Sequence, residues 1–348
     1  MNTTGRVCIT IFAFFCVFSG LNRTLAATEV KLLTSDREDQ DEVGRAVDMD
    51  GETILMGAPE EDEMGTRSGA AYIFKWYGGT WVQEVKLMAP DGVYGAQFGY
   101  AVSLSDEYAL VGAFRDSEHG NQAGAAYLWH RVGGSWQYVQ KLVPAVPLAN
   151  IEFGNAVAIN GDYAVIGAHR YEHMGNMTGG VYVFERNGAT FIQDAILVEN
   201  ELSPSGFFGC SVDVSGNTLM VGASGDMTTG LRSGAVYVYD HDGVNWNFSQ
   251  KFTHPGGSDN DGFGRSLAIG NGWAIVGAPA GNGTVVGSGL AYLCRYQGGT
   301  WQPVTKLGPN PPEPDVSFGW SVAMNDGFAV VGAPWTAAGN ISNAGKVY

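Results

Sequence analysis

Apolar and polar residues alternate along this chain in short runs, and the runs recur every 55 residues. In the third recurrence, Phe153 to Ile159 and Tyr163 to Ala168 flank an Asn160-Gly161-Asp162 turn. Two-residue side-chain periodicity on both sides of an Asn-Gly turn predicts a β-hairpin. After a polar loop, Gly179 to Phe184 reads as a third strand, turned at Asn187-Gly188 into a fourth, Phe191 to Leu197. Two combs hold this register through the chain. One is Gly44, Gly99, Gly154, Gly209, Gly264 and Gly319, mostly after Phe; the other is Gly57-Ala58, Gly112-Ala113, Gly167-Ala168, Gly222-Ala223, Gly277-Ala278 and Gly332-Ala333. A period of this size filled with strands alone predicts an all-β protein, a β-propeller with four strands per blade.

Large aromatics keep the same time. Tyr72, Tyr127, Tyr182, Tyr237 and Tyr292 mark the third strand; Trp81, Trp136, Trp246 and Trp301, with Phe191 substituting once, open the fourth. One such ring per sheet suits packing between neighbouring blades, so these residues are expected in the core. The comb glycines are expected where backbones approach closely near the axis. They form no phosphate cradle, because no helix follows and the Gly-x-Gly-x-x-Gly spacing is absent. Lys86-Leu87, which closes a fourth strand, has its counterpart one period earlier in Lys31-Leu32. The expectation is six blades, the last, 318–348, completed by that N-terminal strand. The sequence stops partway through a third strand at Tyr348, which leaves seven blades open for a longer chain.

Composition places this scaffold. Arg6, an apolar run from Val7 to Phe18 and Leu25-Ala26-Ala27 form a secretory signal over residues 1–27, leaving 28–348 as one propeller domain. The run is too short to span a bilayer, and no later segment is long or apolar enough for an integral membrane helix. The chain is therefore expected to be secreted or held at the extracellular surface, as a monomer. With 19 basic and 35 acidic residues its formal charge is -16, which repels phosphate backbones and argues against nucleic acid. Cys8 and Cys16 leave with the signal. Cys210 and Cys294 occupy unrelated repeat positions and are expected as unpaired thiols, with no metal or redox motif between them.

Phe263-Gly264 with Gly277-Ala278-Pro279, and Phe318-Gly319 with Gly332-Ala333-Pro334, resemble the FG-GAP repeat, the blade unit of the integrin α-subunit propeller. That resemblance covers about residues 29–348 and implies an adhesion or recognition module. Integrin-like repeats often carry a calcium loop between strands one and two. Here that place holds only short turns such as Asp50-Gly51 and Asn160-Gly161, too few oxygens for a calcium ion, so the chain looks like the calcium-free type and no cofactor is expected.

The candidate chemistry lies in the loops joining strands two and three and in those joining successive blades, which a propeller places on one face. These are the longest and least repetitive segments, as expected of a surface binding protein or glycan. The residues singled out there are Glu60, Glu61, Asp62, Glu63, Arg115, His119, Arg170, His173 and Trp335. The acidic run suits a basic partner, a loosely held cation or a solvated loop. His169-Arg-Tyr-Glu172-His173 matches the inverted zinc-protease string, but that motif needs a helix and here interrupts a strand-to-strand loop. No Asp box, no Gly-x-Ser-x-Gly elbow and no recurring pair of carboxylates on the first strand supports an enzyme. An extracellular enzyme working at the channel mouth on polysaccharide or phosphoester, and a structural spacer, remain the alternatives. Asn176, Asn247, Asn282 and Asn340 begin glycosylation sequons.

Overall fold

The structure is a computed structural model describing residues 30–348 except 37, 39, 93, 200–204, 326 and 338–343. Residues 1–27, expected as a signal segment, and Asn340 lie outside the described residues. Blade one is β1 (Val47–Asp50), β2 (Thr53–Ala58), β3 (Ala70–Tyr77) and β4 (Thr80–Leu87). Blade two is β5 (Ala101–Ser105), β6 (Tyr108–Ala113), β7 (Ala125–Val132) and β8 (Ser135–Leu142). Blade three is β9 (Val157–Asn160), β10 (Tyr163–Ala168), β13 (Gly180–Asn187) and β14 (Thr190–Leu197), with a small hairpin, β11 (Glu172–His173) and β12 (Asn176–Met177), in its strand two-to-three loop. Blade four is β15 (Phe208–Ser215), β16 (Thr218–Ala223), β17 (Ala235–His241) and β18 (Trp246–Phe252). Blade five is β19 (Ser266–Gly270), β20 (Trp273–Ala278), β21 (Leu290–Gln297) and β22 (Thr300–Leu307). Blade six is β23 (Ser321–Asn325), β24 (Phe328–Ala333) and β25 (Lys346–Val347). Each sheet is an antiparallel meander, and together they make a six-bladed β-propeller.

The Gly-Ala end of each second strand sits against the Phe-Gly end of its own first strand; Gly99 N donates to Gly112 O at 3.0 Å and Gly154 N to Gly167 O at 2.9 Å. The next blade's backbone arrives at the same point. A Cβ on Gly112 would lie 2.1 Å from Gly154 O, which is why the position carries no side chain. The Phe of each pair is fully buried, and Phe98 bridges Gly69 of the preceding blade. Apolar residues of adjoining blades merge into shared clusters at five junctions, from one–two through five–six. Tyr127 with Trp129, and Tyr182 with Phe184, fill them as expected; Trp81, Phe191, Trp246 and Trp301 are also buried.

The seam between blades six and one differs. Leu32 packs with Val43 on the cluster of blade one, the place that Leu87, from the fourth strand of blade one, takes in the cluster it shares with blade two, and Ser35 N donates to Gln83 Oε1 on β4 as Ala145 N does to Gln193 Oε1. Among the described residues the strands assigned to blade six are β23, β24 and β25. Val47 and Met49, which face blade six, are 39% and 44% exposed, whereas their counterparts Val102 and Leu104 are 9% and 5% exposed.

Candidate functional site

The outer wall carries a recurring polar cage. A Lys on the fourth strand lies over the buried third-strand Tyr and reaches the acid three residues past Gly-Ala. Lys141 Nζ meets Asp91, Asp116 and Glu118 at 2.6, 2.8 and 2.6 Å, one carboxylate for each ammonium proton. Tyr127 Oη is 2.7 Å from Asp91 and 2.8 Å from Asp116. Burial opposes the charge on Asp91, but Lys141 and Tyr127 together hold its carboxyl below the usual range. Blade one repeats the arrangement, with Lys86 Nζ meeting Asp36, Glu61 and Glu63 at 2.7, 2.8 and 2.6 Å; blade four keeps Lys251 and Asp226 at 2.8 Å. Asp36 and Asp91 come from the segments leading into a blade, so each cage ties a lead-in, a loop and an outer strand together.

This accounts for the acidic run. Glu61 is buried and Glu63 joins it on Lys86; Glu60 pairs with Arg67 at 2.7 Å, and Asp62 accepts from Arg67 N. Glu60 and Glu61 are thus tied into the scaffold, while Asp62 and Glu63 stay exposed. Asp36, Glu61 and Glu63 also lie close enough together to ligate a metal, but their centre is filled by Lys86 Nζ.

Two carboxylates do recur on first strands, contrary to expectation. Asp48 Oδ2 accepts from Leu104 N at 2.7 Å and Asp213 Oδ2 from Ile269 N at 2.8 Å, each linking its first strand to that of the next blade. Ser103 does the same for Ile159 N at 3.1 Å. The position is therefore a strand-to-strand fastener with interchangeable acceptors. Burial, and secondarily Asp48, push Asp213 up to about 7.

On the loop-bearing face the residues just after Phe-Gly and just after Gly-Ala are neighbours, because those two ends are hydrogen-bonded. In a ring of blades these inner strand ends gather round the axis, and the space that they enclose is termed the mouth. Arg45 stacks on Tyr100 with 4.5 Å to the ring centre, Tyr100 on Phe114 at 4.2 Å, and Phe114 carries Arg115 at 5.1 Å. Across the mouth Arg265 stacks on Trp320 at 5.0 Å, and Trp320 meets Trp335 at 6.4 Å. His169 Nε2 lies 3.2 Å from Glu152 Oε2, and Arg170 binds Glu152 Oε1 at 3.0 Å. Burial, with Arg170 and Arg265 nearby, pushes His169 down to about 4, so its ring is neutral at physiological pH. Burial raises the carboxyl of Glu152 despite the opposing fields of Arg170 and Arg115.

Of the residues expected at the rim, Arg115, Arg170 and Trp335 come together here, exposed. His119 is exposed beside Glu118 at 3.9 Å, in the cage of blade two. His173 sits apart from His169 on β11, paired in register with Asn176, so the two histidines of the zinc-like string share no centre. Asn176, Asn247 and Asn282 are exposed, Asn247 on β18 and the other two in strand two-to-three loops. Arg45, Tyr100, Arg265 and Trp320 were not singled out from the sequence; their signal is a single repeat column, the residue after Phe-Gly, in which Arg and aromatic residues recur. Cys210 shares that column, and both it and Cys294 are free thiols.

Comparison with curated proteins finds no match. The family profile of the FG-GAP repeat matches residues 27–74, 81–129, 136–184, 191–239, 246–294 and 301–348, most of the sequence, and the chain belongs to the FG-GAP repeat family.

Proposed function

We propose that the protein is a secreted or cell-surface recognition module that binds a protein partner through its loop-bearing face. The carrying observation is the chemistry of the strand two-to-three loops, where Met64, Met174, Met177 and Met227 are exposed together with Leu231, Val286 and Trp335. Methionine adapts its shape to an apolar partner and is enriched, with aromatic residues, at protein interfaces. The loops rest on cages and close-packed strands, so flexible contact groups are displayed from a fixed frame. The expected signal segment and the exposed sequons Asn176, Asn247 and Asn282 support an extracellular setting; Asn176 and Asn282 lie in the same loops as Met174, Met177 and Val286, so glycans there would share this face with the contact groups.

A photoreactive side chain placed at Met174 or Leu231 should label protein on the cell surface, whereas the same group at Gly133, in a turn on the opposite face, should not. Equal labelling from the two faces would remove the assignment. Met174→Asp together with Leu231→Asp should abolish that labelling from a probe at Val286, with the unfolding midpoint unchanged.

A further inference from the structure

We propose that the channel mouth on the loop-bearing face binds a carboxylate presented by the protein partner, an Asp or Glu side chain received among Arg45, Arg115 and Arg265. This rests on the loop face being the protein-binding surface and names the group it recognises.

The first ground is unmet pairing. Carboxylates outnumber basic groups 35 to 19 in this chain, and Arg67, Arg131, Arg170, Arg186, Lys86 and Lys141 each pair with one, whereas Arg295 on β21, stacked on Trp273, does not among the described residues. Arg45, Arg115 and Arg265 are stacked on rings and, among the described residues, none has a carboxylate oxygen within 4.0 Å; Glu152 acts on Arg115 only from farther away. Arg45 and Arg265 are also half-buried, which makes an unneutralised charge costly. A stacked guanidinium is held by the ring face while its in-plane N–H groups stay free, the geometry that suits a planar carboxylate.

Convergence is the second ground. Arg45, Tyr100, Phe114 and Arg115 form one continuous stack across blades one and two. Arg115 acts on Glu152, and Arg265, from blade five, acts on His169, and those two residues touch. Arg265 holds in blade five the repeat position that Arg45 holds in blade one, the residue after the comb glycine, so both belong to the ring of strand ends on this face. Glu152 is committed to Arg170 and His169 there.

Charge distribution bears on the kind of anion. With a net charge of -16, the molecule as a whole repels an extended polyanion, while a small cationic island accepts a single carboxylate. The apolar loops around the island, Met174, Leu231 and Val286, fit the protein surface around such a side chain better than a hydrated acidic sugar.

The test follows the arginine Nε–H signals of the labelled protein by NMR during titration with N-acetylglutamate, N-acetylglutamine, glucuronate and sulfate. N-acetylglutamate should shift Arg45, Arg115 and Arg265 saturably and the neutral glutamine analogue should not. Binding should weaken at least about tenfold in R45Q/R265Q, the loss expected for hydrogen bonds to a charged group. R45K/R265K should fall between, since it keeps charge without the planar fork, and all variants should unfold at the parental midpoint. No saturation, an equal response to glutamine, or tighter binding of glucuronate or sulfate than of N-acetylglutamate overturns the proposal. If R45Q/R265Q leaves labelling from Met174 intact, this inference falls while the loop-face reading stands.

Discussion

A single lysine decides whether a cage holds. Asp116 has a side chain only 1% exposed, and Lys141 supplies its neutralising charge. Lys141→Met would strand that carboxylate and should cost about 3–5 kcal/mol in denaturant unfolding, the usual penalty for removing one partner of a buried pair. Asp116→Asn on that background should recover much of the loss, whereas Glu118→Ala, at an exposed member, should cost under about 1 kcal/mol. These residues were visible in the sequence as columns: Lys closing strand four, an acid after Gly-Ala. Their pairing was not, because partners 25 and 50 residues apart meet only through the sheet. The same holds for Glu60 and Glu61, whose partners Arg67 and Lys86 the sequence alone does not name. Asp213 offers a pH signature at this scale. Its folded carboxyl titrates near 7 against an ordinary 3.8, so the group binds its proton more tightly folded than unfolded. Its contribution is most favourable in acid and is lost as pH rises from about 4 through 7. In Asp213→Asn the melting temperature relative to the parent should therefore climb between pH 4 and pH 8, whatever constant offset the changed amide contacts bring. A flat difference would mean that Asp213 is ionised throughout.

Strands were the most legible elements, because a two-residue period with Asn-Gly turns leaves few other folds open. The loops were legible only by their failure to repeat, and the β11–β12 hairpin within one of them carries no distinct pattern, just two residues per strand. The comb glycines belong to this scale too, since their constraint comes from the neighbouring blade. In Gly112→Ala the new methyl would meet Gly154 O, a backbone atom that cannot turn aside, and the variant should lose at least about 1–3 kcal/mol of stability. Gly270→Ala is the matched control: the site has open space and an ordinary backbone conformation, so its melting temperature should stay near that of the parent. Gly332→Ala should be milder than Gly112→Ala, because Gly332 meets first the Ser321 side chain of its own blade.

The whole molecule is a chain of nearly equal junctions with one unequal seam. Each of five junctions combines a shared apolar cluster with close backbone approach, and neighbouring sheets hold one another as repeats in an array do. Blade six has such a neighbour on one side only. Its β24 residue Val330 is half-buried, whereas the equivalent Leu55, Leu110, Val165, Met220 and Ile275 are fully buried. Local opening should start there, since a segment that buries little apolar surface exposes little when it opens. Amides of β23 and β24 should exchange at least about tenfold faster than those of β5 and β6, although both pairs have the same hairpin hydrogen bonds. Uniform protection across all six blades would mean that the seam is closed in solution by packing as strong as that of the other five junctions. A charge at Val47, as in Val47→Asp, should then destabilise the protein as strongly as Val102→Asp, whereas an open seam makes only the second substitution costly. The mouth lies where the blades meet at the axis, and Arg45 enters it from blade one while Trp320 and Trp335 enter it from blade six. Fluctuation at the seam therefore moves the two sides of the binding mouth relative to each other, and a ligand spanning Arg45 and Arg265 should slow exchange in β23 and β24 as it binds.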